Sequence, residues 1–275
     1  MSSTETDLAQ AALQTFDQVV QSSDGFRGRA GQRRMAEQVA HTFSSAQLGK
    51  PEGDNVAPLR AIAVIQAGTG VGKSLAYCAP AIALALARNT RVLISTATVA
   101  LQEQLVNKDL PALAAQLAQP FNFALAKGRG RYVCKLKLER LAGTGEAHDE
   151  DEGDLFPEEA FAARPQHETE ARLQFYAAMA QTLSSGAWDG DRDSLDTPPE
   201  LEVWSPVAAE GATCTGKHCP AFNQCTYYDK RKELVGAQVI VANHDLLLSS
   251  LGARMSAVRD PVMRSVPAWR CSQAW

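Results

Sequence analysis

Compact apolar runs and helically spaced apolar residues alternate along the first half of the chain. Residues 61–65 and 91–96 are short apolar runs, and a longer apolar stretch, 75–87, separates them. This order predicts a buried strand, a helix and a second buried strand. Apolar residues at helical spacing over 5–21, and again over 35–43, predict two helices upstream. Because a strand–helix–strand unit makes its strands parallel, the pattern predicts an α/β fold built on a parallel sheet.

The pattern changes between residues 113 and 232. A helix is predicted over 168–183, but the acidic stretch 146–159 and the prolines near residue 200 predict surface loops. The apolar run that starts at Val239 then predicts a strand that returns to the sheet. The expected divisions are N-terminal helices and the first part of the sheet over 1–112, a mostly helical insertion over 113–232, a return strand within 233–252, and an irregular tail over 253–275.

A glycine-rich segment lies between the first predicted strand and its helix. It runs Ala67-Gly68-Thr69-Gly70-Val71-Gly72-Lys73-Ser74, in the strand–loop–helix context that a phosphate loop requires. Glycines let successive backbone N–H groups face one anion, and the helix start adds partial positive charge. We expect Lys73 to reach the terminal phosphates of ATP and the Ser74 hydroxyl to bind Mg²⁺. The alternative is a turn that binds nothing, which rarely places Gly-Lys-Ser at a helix start.

Composition and charge narrow the class of protein. The chain has 275 residues with a net charge of −4, so any contact with nucleic acid must come from local basic patches. No apolar run is long enough to cross a membrane and the N-terminus is polar, so we expect a cytoplasmic protein without a membrane partner. In that reducing compartment, six cysteines favour metal or cluster binding, or buried thiols, over disulfides.

Two stretches are candidates for nucleic-acid contact. Residues 127–140 hold six basic side chains against one Glu, with Tyr132 among them. Basic residues around an aromatic ring suit a single strand, because charges follow phosphates and the ring stacks on a base. The loop 95–98 ends the second predicted strand at the edge where ligands bind in parallel sheets, and a polar helix follows it. The alternatives are a solvated helix face for the first stretch and helix capping by Thr98 for the second.

Four cysteines outside the predicted sheet form a candidate metal site. They are Cys134, Cys214, Cys219 and Cys225. Four thiolates hold either Zn²⁺ or a four-iron cluster, and one remote ligand with three unequally spaced local ones suits the cluster somewhat better. Spacing alone leaves both open. Cys78 lies in the apolar helix after the phosphate loop, so we expect a core residue there.

Taken in order, these motifs resemble those of the iron–sulfur superfamily-two DNA helicases. The resemblance covers about residues 10–252. It rests on Phe26 with Arg29-x-x-Gln32, Gln66 to Ser74, Ser95 to Thr98 with Gln102 and Gln104, Lys127 to Cys134, Trp188 to Asp193, Cys214-x₄-Cys219-x₅-Cys225, and Val239 to Leu247. It implies a partial RecA-like sheet with an iron–sulfur-binding insertion, and the N-terminal part of an ATP-dependent 5′–3′ helicase. We expect a monomer that binds single-stranded or forked DNA.

The resemblance also assigns residues to roles. A glutamine that opens a helix upstream of the phosphate loop can read an adenine edge, although Gln32 alone would be an ordinary helix-start residue. The implied ATP and Mg²⁺ site is Arg29, Gln32, Gly68, Thr69, Gly70, Val71, Gly72, Lys73 and Ser74, with Lys73 and Ser74 catalytic. The implied four-iron–four-sulfur ligands are Cys134, Cys214, Cys219 and Cys225. The implied DNA contacts are Thr96, Thr98, Gln102, Lys127, Arg129, Arg131 and Tyr132.

The sequence departs from the family after Asn243-His244. The family has an Asp-Glu-x-His motif there, whose acids hold Mg²⁺, and the chain has none in that place. The second ATPase lobe is also missing, and the tail after Gly252 looks foreign. Since phosphoryl transfer depends on metal and charge placement, we expect little hydrolysis by the chain itself. Two further interpretations stay open: a non-catalytic fragment that binds nucleotide and DNA, and a zinc-binding P-loop protein of unrelated activity.

Overall fold

A computed structural model describes residues 3–22, 29–47, 59–143, 166–252 and 268–273. These residues divide into two compact units, one formed by 1–127 with 233–275 and the other by 128–232. The predicted start of the insertion at 113 falls inside the first unit, because residues 123–126 join its sheet. The acidic stretch 146–159 lies outside the described residues, as do Phe26 and most of the tail.

The first unit is a parallel sheet with helices packed against it. Its elements are α1 (Ser3–Ser22), α2 (Ala30–Ser45), α3 (Lys73–Ala87), β1 (Arg91–Thr96), α4 (Val99–Gln104), a π-helical turn (Leu105–Asp109), α5 (Leu110–Gln116), β2 (Phe123–Ala126), β3 (Val239–Asn243), α10 (His244–Gly252) and β4 (Ala268–Gln273). The strand order is β2-β3-β1-β4, with each adjacent pair parallel. The α/β fold with a partial RecA-like parallel sheet is therefore confirmed.

The predicted strand at 61–65 does not form. Ala61 and Ile65 pack against the core, but Ile62 and Val64 are 87% and 95% exposed. Among the described residues, no strand pairs with this segment, so its backbone has no ladder to join. An apolar run becomes a strand only where a neighbour supplies hydrogen bonds. The prediction was wrong for this reason.

The tail contributes an unexpected element. Residues Ala268–Gln273 form β4, which pairs along all six residues of β1, from Arg91 opposite Ala268 to Thr96 opposite Gln273. A polar, irregular sequence gave no periodic signal for this strand. The sequence alone also missed β2, whose four residues pair with β3.

Arg88 joins two helices of the first unit. It follows α3, and its guanidinium donates to the carbonyl oxygens of Phe43 (2.9 Å), Ser44 (2.6 Å) and Ala46 (3.0 Å). These carbonyls lie at the end of α2, where helix carbonyls have no partner within the helix. Burial lowers the pKa of Arg88 from its usual value, with the charge of Glu5 acting in the opposite direction.

The second unit is mostly helical around its own core. Its elements are α6 (Lys135–Leu141), α7 (Gln166–Ser184), α8 (Leu201–Trp204), the first part of α9 (Thr226–Gly236), and short 3₁₀ turns at Arg129–Arg131, Arg192–Ser194, Gly216–His218 and Phe222–Gln224. Trp188, Trp204 and Tyr176 fill the core. The Trp188 indole donates to the Asp191 carbonyl oxygen at 2.8 Å, and the Trp204 indole donates to that of Gly130 at 2.6 Å.

Asp189 anchors the turn before the second 3₁₀ segment. Its carboxylate accepts from the Ser194 hydroxyl at 2.7 Å and the Asp191 backbone N–H at 3.0 Å, and lies 3.5 Å from the Lys230 ammonium. Burial alone would raise the pKa of Asp189. The hydrogen bonds from Ser194 and Asp191 and the charge of Lys230 outweigh burial and hold this pKa below its usual value.

Candidate functional site

The phosphate loop has the backbone that its glycines predict. Gly70 and Gly72 have φ of +73° and +84°, the left-handed region that side chains disfavour. Gly72 lies at the cap position before α3, so the first backbone N–H groups of a 15-residue helix face the loop. A Cβ added at Gly68 or Gly70 would meet no atom within 4 Å, so the loop faces open space there. This open space beside the start of α3 is where a phosphate loop holds a polyphosphate.

Lys73 lies across this loop. Its ammonium donates to the carbonyl oxygens of Ala67 at 3.2 Å and Gly68 at 3.0 Å. A phosphate in the loop would offer the same ammonium a charged acceptor in place of two neutral ones. A cavity of about 240 Å³ opens beside Gly72 and Ser74, and Gln104, Lys108 and Asp109 also line it.

Gln32 and Arg29 hold the phosphate loop by donating hydrogen bonds to its backbone carbonyl oxygens. Gln32 is 1% exposed, and its amide donates to the Gly72 carbonyl oxygen at 3.0 Å. Arg29 donates to the carbonyl oxygen of Gly70. The amide nitrogen that the sequence assigned to an adenine edge therefore bonds the loop in this structure. Gln32 contacts the nucleotide site through the backbone of Gly72.

The DNA-contact residues predicted after β1 divide into buried and exposed ones. Thr96 and Gln102 are buried, and the Thr96 hydroxyl donates to the carbonyl oxygen of Thr98 at 3.1 Å. Thr98 is exposed, and its hydroxyl accepts from the Leu101 N–H at 3.3 Å at the start of α4. Helix capping by Thr98 is confirmed. Thr96 and Gln102 present no side-chain surface to DNA here, which corrects their assignment.

The basic stretch 127–140 is largely paired within the protein. Arg131 pairs with Asp193 (3.1 Å), Lys135 with Glu139 (2.6 Å) and Lys137 with Glu210 (3.2 Å). Glu139 was visible within the stretch itself, but Asp193 and Glu210 lie 62 and 73 residues from their partners in the same compact unit, so no local pattern shows them. Lys127 is half-buried and Arg140 is exposed.

Tyr132 does not offer a ring to a base. It is 4% exposed and packs edge-on against Tyr227, with ring centroids 5.8 Å apart. Arg129 lies over the same Tyr227 ring at 4.2 Å and near Tyr228 at 5.6 Å. Burial alone would lower the pKa of Arg129, but Tyr227, Tyr228 and Cys214 together raise it. Stacking by Tyr132, predicted from its basic neighbours, is incompatible with this burial.

One side-chain pair at the carboxyl ends of the strands had no signal in the sequence. The Ser95 hydroxyl and the His244 Nδ1 lie 2.6 Å apart, although 149 residues separate them. Parallel pairing of β1 with β3 sets Thr96 opposite Asn243 and so brings the two residues together. The Asn243 side chain accepts from the Leu246 N–H at 2.8 Å and caps the helix that begins at His244.

The four candidate ligands lie in the second unit. Cys134, Cys219 and Cys225 are half-buried, Cys214 is exposed, and all four are free thiols. Burial raises the pKa of Cys225, and the charges of Cys134 and Cys214 add to this, while the backbone N–H groups of Tyr228 and Tyr227 act in the opposite direction. Cys134 and Cys214 are therefore among the groups that affect the pKa of Cys225. Cys78 is fully buried in the first unit, which confirms it as a core residue.

These thiols do not form a preformed site for one metal ion. In the part of the chain that the structure describes, no three His, Cys, Asp or Glu side chains are placed to hold a single ion. Four thiolates on one Zn²⁺ would lie about 3.8 Å apart, since each is about 2.3 Å from the metal. In a four-iron cluster each thiolate binds a different iron, so the ligands stand farther apart. The donor set suits such a cluster in chemistry and number.

The fold and the phosphate loop define a class of protein. A parallel sheet with Gly-Lys-Ser at the start of α3 is the core of a P-loop nucleotide-binding lobe. Residues 35–128 match the DEAD/DEAH box helicase family. The class is therefore that of P-loop helicase domains.

Three relatives indicate which kind of helicase the chain resembles. The chain is 36% identical over 238 residues to the ATP-dependent DNA helicase DinG of Photobacterium profundum, covering 86% of this chain and 31% of the relative. It is 34% identical over 236 residues to the protein of the same name from Escherichia coli K12, covering 86% and 30%. The Salmonella choleraesuis protein is 34% identical over 226 residues, covering 82% and 29%. The chain corresponds to the N-terminal portion of a DinG-type helicase, and spans about a third of the length of these relatives.

No helix among the described residues is both long enough and apolar enough to cross a membrane.

Proposed function

We propose that this chain is the N-terminal, nucleotide-binding part of a cytoplasmic, ATP-dependent 5′–3′ DNA helicase. The observation that carries the proposal is the phosphate loop. Two left-handed glycines and the Lys73 ammonium lie in the loop at the start of α3, and Gly68 and Gly70 face open space. ATP would place its phosphates there, with Ser74 on Mg²⁺.

Calorimetry with a non-hydrolysable ATP analogue and Mg²⁺ tests this proposal. Lys73→Ala should weaken binding at least tenfold, because it removes the point charge from the phosphates. Lys232→Ala is the matched control, since Lys232 is an exposed lysine paired with Asp229 in the other unit. Equal affinity of the Lys73 variant and the wild type would overturn the assignment.

The second unit is proposed to hold a four-iron–four-sulfur cluster on Cys134, Cys214, Cys219 and Cys225. The support is a set of four free thiols in one unit, of which Cys134 and Cys214 are among the groups that raise the pKa of Cys225. After anaerobic purification, any Cys→Ser change among the four should abolish the visible absorption, whereas Cys78→Ser should not. Stoichiometric zinc without iron would favour the zinc-binding alternative.

DNA binding is proposed for the residues of the predicted set that stay accessible. These are Thr98, Lys127, Arg129 and Arg131, on loops and turns rather than in the core. Because Arg131 already pairs with Asp193, it must exchange that carboxylate for a phosphate in order to bind DNA. Affinity for a fluorescently labelled single strand of DNA should fall as the salt concentration rises. The same titration with a forked duplex compares the two forms of DNA. Salt-independent binding would contradict phosphate contact.

Catalysis by this chain alone is proposed to be absent. No Asp-Glu-x-His follows Asn243-His244, so these 275 residues do not supply the acids that would hold Mg²⁺ and orient the attacking water. The second candidate function is therefore that of a monomeric fragment that binds nucleotide and DNA. A DNA-stimulated ATPase in the 275-residue chain, lost on Lys73→Ala, would reject this second candidate in favour of the first.

A further inference from the structure

Three separate chain segments hold the backbone at Cys134. The Cys134 N–H donates to the Val207 carbonyl oxygen at 2.7 Å, and the Val133 N–H donates to that of Gly190 at 2.9 Å. The third segment begins at Thr226, whose hydroxyl donates to the Val133 carbonyl oxygen at 2.7 Å. Every hydrogen bond in this group involves Cys134 itself or the residue before it. The position of this cysteine is therefore set by the fold.

Thr226 links this backbone to a second cysteine. It directly follows Cys225 at the start of α9 and is 7% exposed, so its hydroxyl bonds Val133 without competition from water. The bond joins the residue after Cys225 to the residue before Cys134. It therefore ties together the backbone beside two cysteines that are 91 positions apart in the chain.

Gly190 fixes the direction of the Thr226 side chain. Gly190 has φ of +84°, and a Cβ there would lie 2.3 Å from the Thr226 Cγ2 and 2.7 Å from its Cβ. The glycine therefore makes room for the threonine methyl, and the hydroxyl points to Val133. This contact explains why Trp188-Asp189-Gly190-Asp191 needs a glycine at its third position.

Among the described residues, no such hydrogen bonds to distant segments hold Cys214 and Cys219. Cys214 is exposed, and its sulfur accepts from the Gly216 N–H at 3.4 Å, two residues away. Cys219 follows a three-residue 3₁₀ turn. The hydrogen bonds around these residues are local, whereas those around Cys134 span the unit.

We propose that Thr226 is a positioning residue that, together with Gly190, fixes Cys134 beside Cys225 before any metal binds. This inference rests on the proposed cluster and deepens it. Half of the ligand set is built by the apo fold, and Cys214 and Cys219 complete it. Thr226 itself carries no ligand atom for iron, so it acts through Val133 and the two neighbouring thiols.

The test compares Thr226→Val, which removes the hydroxyl at nearly constant shape, with Thr226→Ser, which keeps it. After anaerobic reconstitution of the full chain, a chelator should bleach the visible absorption of the valine variant about tenfold faster than that of the wild type. The serine variant should stay within about twofold of the wild type. Gly190→Ala, which displaces the same side chain from the opposite direction, should behave like the valine variant.

Crosslinking of the apo chain decides the inference without iron. Dibromobimane, a short thiol crosslinker, should join Cys134 to Cys225 in the wild type and the serine variant, read by peptide mass spectrometry. This yield should fall about tenfold in the valine variant, while the yield of the Cys214–Cys219 pair should not change. Fluorescence of Trp188 and Trp204 verifies that the second unit is folded.

Two outcomes separate the proposals. A wild-type chain that takes up no iron would end the cluster proposal, and the crosslinking yields would still decide whether Thr226 positions the thiols. Valine and alanine variants that keep both the wild-type bleaching rate and the wild-type Cys134–Cys225 yield would overturn the role of Thr226 and Gly190.

Discussion

Replacement of Gly72 by alanine tests how strongly the buried Gln32 side chain holds the phosphate loop. The new Cβ would lie 2.3 Å from the Gln32 Nε2 and 3.0 Å from its Cδ. Gln32 is buried, so it must leave its site and lose its 3.0 Å bond to the Gly72 carbonyl oxygen. The substitution therefore adds a displaced amide to a strained backbone.

The magnitude follows from two contributions. Left-handed backbone at φ of +84° costs an alanine about 1 kcal/mol. Displacement of a buried, hydrogen-bonded amide costs about 2 kcal/mol more. Gly70→Ala is the matched control, because Gly70 has φ of +73° and open space around its Cβ position. It should therefore cost only about 1 kcal/mol.

Urea unfolding followed by circular dichroism measures both variants. Gly72→Ala should be less stable than Gly70→Ala by about 2 kcal/mol. In a Gln32→Ala background the steric conflict disappears, so the added cost of Gly72→Ala should fall to that of Gly70→Ala. Equal costs at the two glycines, or no relief in the Gln32→Ala background, would refute the argument.

Three other substitutions probe contacts away from the loop. Asp189→Asn should destabilise the second unit at neutral pH by less than about 1 kcal/mol, because the carboxylate is partly exposed. Since the folded pKa of Asp189 is lowered, its contribution is full above the unfolded pKa and is lost as pH falls through the folded one, so the variant should flatten the acid side of a pH–stability curve. Arg88→Met should lower the free energy of unfolding by about 2 kcal/mol by removing the guanidinium donor to the carbonyls at the end of α2, and an equal urea midpoint would contradict this. Ser95→Ala should cost about 1 kcal/mol by removing the hydrogen bond between Ser95 and His244, measured by thermal unfolding.

The parts of the fold and site that the sequence predicted depend on neighbours in the chain. The loop from Gly68 to Ser74, helix α3 and strand β1 are contiguous, so their glycines, lysine and apolar runs carry the information locally. Capping of α4 by Thr98 was considered as an alternative to DNA contact because Thr98 directly precedes that helix. Cys78 was predicted to be in the core because it lies in an apolar helix.

The parts that were missed depend on distant partners. Gln32 meets Gly72 across 40 residues, and Arg131 meets Asp193 across 62. No single-sequence pattern shows that a basic residue has a distant acid such as Asp193 beside it, or that Tyr132 packs against Tyr227. Strand formation has the same dependence, since β4 forms beside β1 without an apolar signal and 61–65 stays unpaired among the described residues despite a strong one.

The exposed apolar segment 61–65 affects how the protein behaves at high concentration. Its sequence, Ala-Ile-Ala-Val-Ile, has high β-propensity, no charge and no proline, which are the features of segments that stack into fibrils. With Ile62 and Val64 in water, the same segment of another molecule is a ready partner. Loss of soluble protein should therefore rise steeply with concentration, and a lysine at position 62 or 64 would act as a gatekeeper against it.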